Sequence, residues 1–150
     1  MERYMVKAKH KETGEWFIGF PMRIQNKHML LLDDEQNLLR VYYTEDKMWD
    51  AETYAVEIDE KTICRPTGLT DINSNKIWEN DFIKHYNNPN SPNSYDLGVV
   101  LWDTTTLRFK RTSTQCRDYV SISNEYDYEV ISNKIDNPEL LEKSNIGRAD

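Results

Sequence analysis

Hydrophobic and polar residues alternate with a period of two along most of this chain, the pattern of half-buried β-strands. In Arg3–His10, Tyr4, Val6 and Ala8 share one face while Arg3, Lys7 and Lys9 take the other. Lys11-Glu12-Thr13-Gly14 reads as a turn in which Gly14 supplies a positive φ, and Glu15–Phe20 returns as a second strand. Pro21 has no backbone N–H to give to a ladder, so it is expected to end that pairing or to mark an edge. His28–Leu32 and Leu38–Tyr43 read as another hairpin around Asp33–Asn37. Glu45–Thr53 reads as an irregular crossing or a single helical turn, and Tyr54–Ile58 as a short strand.

From Ile63 to Tyr86 the pattern is strand, tight hairpin, corner, strand. Asn87–Asp96, with its prolines and asparagines, cannot sustain a ladder and is expected to be a loop. Leu97–Trp102 is apolar on both alternating faces, which suits a central strand covered on both sides. Leu107–Arg111 follows a turn, with Leu107 and Phe109 opposed to Arg108 and Lys110. Tyr126–Val130 reads as the last strand. Asn137-Pro138-Glu139 then offers a cap, a first-turn proline and a first-turn acid for a short helix to about Lys143. The chain reads as all-β, mainly strands with one short C-terminal helix and a tail over 144–150.

The stretch Thr67–Ile83, Thr-Gly-Leu-Thr-Asp-Ile-Asn-Ser-Asn-Lys-Ile-Trp-Glu-Asn-Asp-Phe-Ile, resembles the signature of the YopX family, T-G-L-x-D-x-N-G-x-x-I-[YF]-E-G-D-[IV]. A second mark of that family, V-I-G-N-I-x-[DE]-N-P-E-L-L, is matched by Val130–Leu141, and Lys11–Trp16 resembles its early hairpin. YopX proteins are small, are typically encoded by phages and prophages, and have no established biochemical activity. The resemblance implies a single domain over 1–150. It comprises an N-terminal β-hairpin region at 1–60, a small SH3-like barrel at 63–135, and a short helix at 136–143. Three usual glycines are replaced, by Ser74, Asn80 and Ser132. Asparagine tolerates the left-handed region, whereas serine at 74 suggests that the positive φ has moved to Asn73 or Asn75.

Read physically, the signature is turn architecture. Asp71 and Asn73 are placed to bond their own backbone, and Ile77 and Trp78 are expected to take opposite faces, one in the core and one at its flank. Glu79 and Asp81 sit at a corner, where acids cap backbone amides; a partner contact is the other use of such a corner.

Composition narrows the chemistry. Nineteen basic and 26 acidic residues give a net charge of −7, which repels phosphate backbones at long range. No apolar run approaches the roughly 20 residues needed to span a bilayer, and the N-terminus lacks a signal-peptide core. Two cysteines, Cys64 and Cys116, form no framework, consistent with a reducing cytoplasm. Cys64 and His85 supply the residue types for nucleophilic chemistry, but no active-site box surrounds them. His10, His28 and His85 lack metal-ligand spacing, Asp33-Asp34-Glu35 lacks the layout of a calcium loop, and no glycine-rich phosphate cradle exists, so no cofactor is expected.

Two function classes follow. The first is a non-enzymatic phage or prophage accessory protein that contacts a phage or host protein in the bacterial cytoplasm. The second is a single-stranded nucleic-acid binder using Arg108, Lys110 and Arg111, with Arg117 nearby and Tyr42, Tyr43 or Trp102 as stacking partners. An enzyme with an unrecognised site is a third.

Overall fold

The computed structural model describes residues 5–32, 55–88, 90–91, 93–114, 118–124 and 127–143. The expectations for Leu38–Tyr43, Glu45–Thr53, Cys116, Arg117, Tyr126 and the tail lie outside the described residues. The chain is mainly β, with a single short α-helix among the described residues, and it divides into two compact units, Met1–Arg65 and Pro66–Asp150. No helix among the described residues is long and apolar enough to cross a membrane.

The first unit is an antiparallel sheet in the order β1-β2-β3-β4, built from β1 (Val6–Lys9), β2 (Trp16–Ile24), β3 (Lys27–Leu32) and β4 (Ala55–Glu57). The period of two holds. Val6, Ala8, Leu30 and Ile58 form the core with Phe17, Leu32, Val56 and Ile63 against it, while Lys7, Lys9, Trp16 and Ile18 share the other face. The β1–β2 turn has Gly14 at φ 72° and is fastened by His10, whose Nδ1 accepts from the N–H groups of Glu12 (3.1 Å) and Thr13 (3.2 Å). Among the described residues the pairing of β2 with β1 extends to Gly19, two residues before Pro21, and β2 continues to Ile24 against β3. The tight β2–β3 turn puts Gln25 and Asn26 both at positive φ, as a two-residue hairpin of primed type requires. After β4, isolated bridges His10↔Ile58 and Lys7↔Cys64 lay the chain alongside β1, and a 3₁₀ turn at Glu60–Thr62 capped by Asp59 lies between them. Among the described residues the N-terminal region is a four-stranded sheet in which β1–β2 and β2–β3 are the hairpins.

The second unit holds the hairpin β5 (Pro66–Thr70) and β6 (Lys76–Trp78). A five-stranded sheet, in the order β10-β9-β8-β7-β11, completes it: β7 (Asp81–Tyr86), β8 (Tyr95–Asp103), β9 (Arg108–Arg111), β10 (Val120–Ser121) and β11 (Tyr128–Asn133). The sheets do not close into a barrel. The hairpin meets β11 through one backbone bond, Ile72 N to Tyr128 O at 2.9 Å, and through the Asp71 carboxylate accepting from Val130 N at 3.1 Å, so a side chain stands where a ladder would continue.

As its two-sided apolar pattern predicts, β8 is covered on both faces. Ile77, Ile83, Val100 and Tyr128 pack on one; Phe82 and Val99 pack on the other under Leu140 and Leu141 of α1 (Glu139–Lys143). Ile77 and Trp78 are both buried, at 0% and 5% exposure, so neither takes the flank position expected for one of them. The strand containing Tyr95 and Asp96 begins two residues earlier than the loop chemistry of Asn87–Asp96 suggested.

Candidate functional site

His85 on β7 pairs in register with Asp96 on β8 and, on its other side, with Tyr128 on β11. Alternation points all three into the face of the sheet that also carries Ile83 and Val100. At the end of β9, Arg111 reaches the same face. Its Nη1 donates to Asp96 Oδ2 at 2.7 Å and to Thr112 O at 3.2 Å, and its Nη2 donates to His85 Nδ1 at 3.1 Å. Arg111 Nε is buried without a hydrogen-bond partner among the described residues.

The segment after β9 completes the cluster by an irregular ladder. Thr112 N and Thr114 N donate to the carbonyls of Val99 and Leu97, each at 3.1 Å. The returning bonds, however, run from Val99 N and Leu97 N to the hydroxyls of Thr112 (3.0 Å) and Thr114 (3.3 Å). Side-chain oxygens replace main-chain ones, which lets the Thr112 carbonyl turn to Arg111. Gly98 makes this possible, since a Cβ there would fall 2.2 Å from Thr112 O.

The electrostatics follow from this packing. Burial alone would raise the Asp96 pKa, but hydrogen bonds from Ser113 Oγ (2.6 Å), Arg111, and Thr114 Oγ1 and N (2.7 and 2.8 Å) outweigh it and hold the carboxyl at about 2. Burial, and then the charge of Arg111, push the His85 pKa below its ordinary value. Because a guanidinium only donates, Nδ1 of His85 is the acceptor and the neutral ring carries its proton on Nε2.

This arrangement is poorly matched to nucleophilic chemistry. A serine nucleophile needs a base to take its proton. Ser113 donates to a carboxylate of pKa about 2, and the Nδ1 lone pair of His85 is occupied by Arg111. A charge-balanced Asp–Arg pair with a neutral histidine is suited instead to fixing the mutual register of β7, β8 and β9.

Sequence reasoning grouped Arg108, Lys110 and Arg111, and the structure separates them. Arg108 is exposed, and Lys110 shares its face, with Nζ 3.4 Å from Asp103 and 3.9 Å above the ring centre of Tyr119. Arg111 lies on the opposite face, 4% exposed. The parity of one residue decides this: 108 and 110 alternate with 109 and 111, so Arg111 follows Phe109 inward. Trp102 packs edge-on against Phe109 at 4.8 Å. Asp96, Ser113 and Thr114 were missed. The available signal was the same parity, which places Asp96 in line with Gly98 and Val100.

In the signature stretch, side chains of the β5–β6 hairpin and of the corner before β7 bond backbone groups. Asp71 is buried and accepts from the N–H groups of Asn73 (2.9 Å), Asn75 (2.8 Å) and Val130; burial would raise its pKa, and these bonds lower it. Thr67 Oγ1 donates to Ile77 O at 2.7 Å. At the corner, Asp81 is buried and its Oδ2 accepts from Trp78 N at 2.8 Å. Asn80 bonds β8 through its N–H (to Val100 O, 2.8 Å) and receives Lys134 N at its carbonyl (2.8 Å). Glu79, next to it, is half-buried. The positive φ has not moved off the replaced glycines: Ser74 is at 64° and Asn80 at 71°. Ser132 lies beside a bulge in β11, where its hydroxyl bonds Asn137.

Cys64 is buried and donates to Thr62 O at 3.3 Å, in the first unit; His85 belongs to the second. His28 Nε2 meets Glu60 at 2.7 Å.

Against models of protein families, the chain matches that of the YopX protein over residues 17–142. The chain belongs to the YopX family. The matched span includes both YopX signature stretches and every member of the Asp96–Arg111–His85 cluster. A search of curated proteins finds no match.

Proposed function

We propose that this YopX protein is a phage or prophage accessory protein that acts in the bacterial cytoplasm by non-enzymatic protein–protein contact. The observation that carries this reading is the inward bonding of its buried polar cluster, in which Arg111 Nε is the one buried polar side-chain atom without a hydrogen-bond partner among the described residues. Asp96, Ser113, Thr114, Arg111 and His85 spend their hydrogen bonds on one another, so that the cluster supports the fold. Recognition then falls to the surface, where Ile18, Met22, Ile72, Leu107 and Tyr119 are exposed. With it we propose an open form of the SH3-like barrel for residues 63–135. The support is the short antiparallel meander β7–β10, with β11 returning beside β7.

Affinity capture from host cells, followed by reconstitution with the purified partner, tests the reading. A stoichiometric protein complex is expected. A turnover activity that maps to single residues of the chain would sink it.

A single-stranded nucleic-acid surface is the second reading, favoured by lysines lying over tyrosines: Lys110 on Tyr119, and Lys84 at 4.8 Å from the Tyr95 ring centre. Against it stand the net charge of −7 and the sharing of Lys110 with Asp103. Nucleic acid that co-purifies and leaves in high salt would favour it over protein contact.

A further inference from the structure

The turn between β8 and β9 displays Leu107 at 71% exposure, more than any other large apolar side chain among the described residues. Its backbone is left-handed as well, with φ at 53°. The pair Asp103↔Arg108 closes a loop over residues 104–107, and the left-handed position at its end suits glycine or asparagine. Leucine there costs backbone strain and gains no burial. Neither cost is recovered inside the fold, and a strained residue of this kind points outward to a use.

The loop that carries it is fixed. Asp103 Oδ1 accepts from Thr105 N at 2.9 Å and from Thr106 N at 3.4 Å, while Oδ2 meets Lys110 at 3.4 Å. Next to Leu107 stands exposed Arg108, and further along β9 the half-buried Lys110 holds its Nζ over the ring of Tyr119, which is 43% exposed.

We propose that Leu107 is the apolar anchor of a protein-docking surface. It seats in an apolar pocket whose rim carries carboxylates, with exposed Arg108 as their charge complement. The inference rests on the protein–protein reading above and assigns it a surface. A preformed turn lowers the ordering cost of binding, and an aliphatic anchor seated in a pocket with a polar rim is a layout on which interfaces are built. An aliphatic tip neither stacks on bases nor pairs with phosphate, so the same surface fits a nucleic acid poorly.

The experiment passes soluble extract of the bacterial host over the immobilised full chain, and over the variants Leu107→Gly, Leu107→Asn and Arg108→Glu, and follows thermal unfolding of each. Glycine and asparagine both suit the left-handed backbone, so both position-107 variants should melt no lower than the wild type. They should nonetheless retain roughly thirtyfold less of the captured protein, the scale of an anchor residue. Arg108→Glu should reduce capture as well. Retention of the captured protein by Leu107→Gly and Leu107→Asn would overturn the anchor while leaving the protein–protein reading standing. A lowered melting temperature in both variants would show that Leu107 serves the fold, and would also overturn it. If the wild type captures no protein, or only nucleic acid, the protein–protein reading falls and the anchor with it.

Discussion

Arg111 Nη1 lies 2.7 Å from Asp96 Oδ2, and each side chain is 4% exposed. Removing one member of such a pair leaves a buried charge uncompensated. Arg111→Ala should therefore destabilise the fold by about 3–5 kcal/mol. Arg108→Ala, three residues earlier on the exposed face, should stay within about 0.5 kcal/mol of the wild type. Urea unfolding of the two variants checks the contrast, and equal effects would show that the strand parity is misassigned.

The same cluster sets a two-step acid response. The folded His85 pKa lies below its ordinary 6.5, so the unfolded chain takes up that proton first and stability begins to fall as pH drops through about 6.5. Asp96 is held at about 2 against an ordinary 3.8, so its contribution is complete above 3.8 and disappears as pH falls toward 2. That second step is worth at most about 2 kcal/mol. Melting temperature against pH should show both phases. His85→Gln should remove the upper phase and keep the lower one.

Much of the fold was legible in the sequence because period-two patterning survives wherever one strand face is buried. β1, β3, the Leu97–Trp102 part of β8 and the end helix fall where alternation and capping placed them. The rest depended on interactions without a local pattern. The tight turn at Gln25-Asn26 sets a glutamine, which seldom signals positive φ, beside an asparagine, and the two-residue β10 is too short to alternate. The buried cluster was half visible. Arg111 drew notice as one of several basic residues, but only its parity with Phe109 showed that it points inward. Asp96 stood at the end of an asparagine-rich stretch whose composition masked the start of β8. No sequence signal announced that Thr112 and Thr114 would replace main-chain acceptors with hydroxyls.

Ser74 occupies a left-handed position in the β5–β6 turn, at φ 64°, where the family pattern has glycine. The conformation is strained for serine and free for glycine. Ser74→Gly should stabilise the protein by roughly 0.5–1 kcal/mol. Asn80→Gly should gain less, because asparagine already tolerates its φ of 71°. Chemical denaturation of both single variants would measure the order, and a destabilised Ser74→Gly would show that the serine side chain supports the turn.

Gly98 is constrained by packing rather than by its own φ. A Cβ at that position would sit 2.2 Å from the Thr112 carbonyl, and the obstacle is backbone, which cannot rotate away as a side chain can. Gly98→Ala must therefore push the segment after β9 off β8, at a cost of roughly 2–3 kcal/mol. The displaced carbonyl is also the one that accepts from Arg111 Nη1, and the displaced segment carries Ser113 and Thr114, which hold the Asp96 carboxylate. The alanine variant should thus lose stability and, in the same step, let the Asp96 pKa rise from about 2 toward its ordinary 3.8. Carboxyl titration by NMR alongside unfolding would test the linkage. A variant that is destabilised while Asp96 still titrates near its wild-type value would show that the cluster holds its geometry independently of the β8–Thr112 approach.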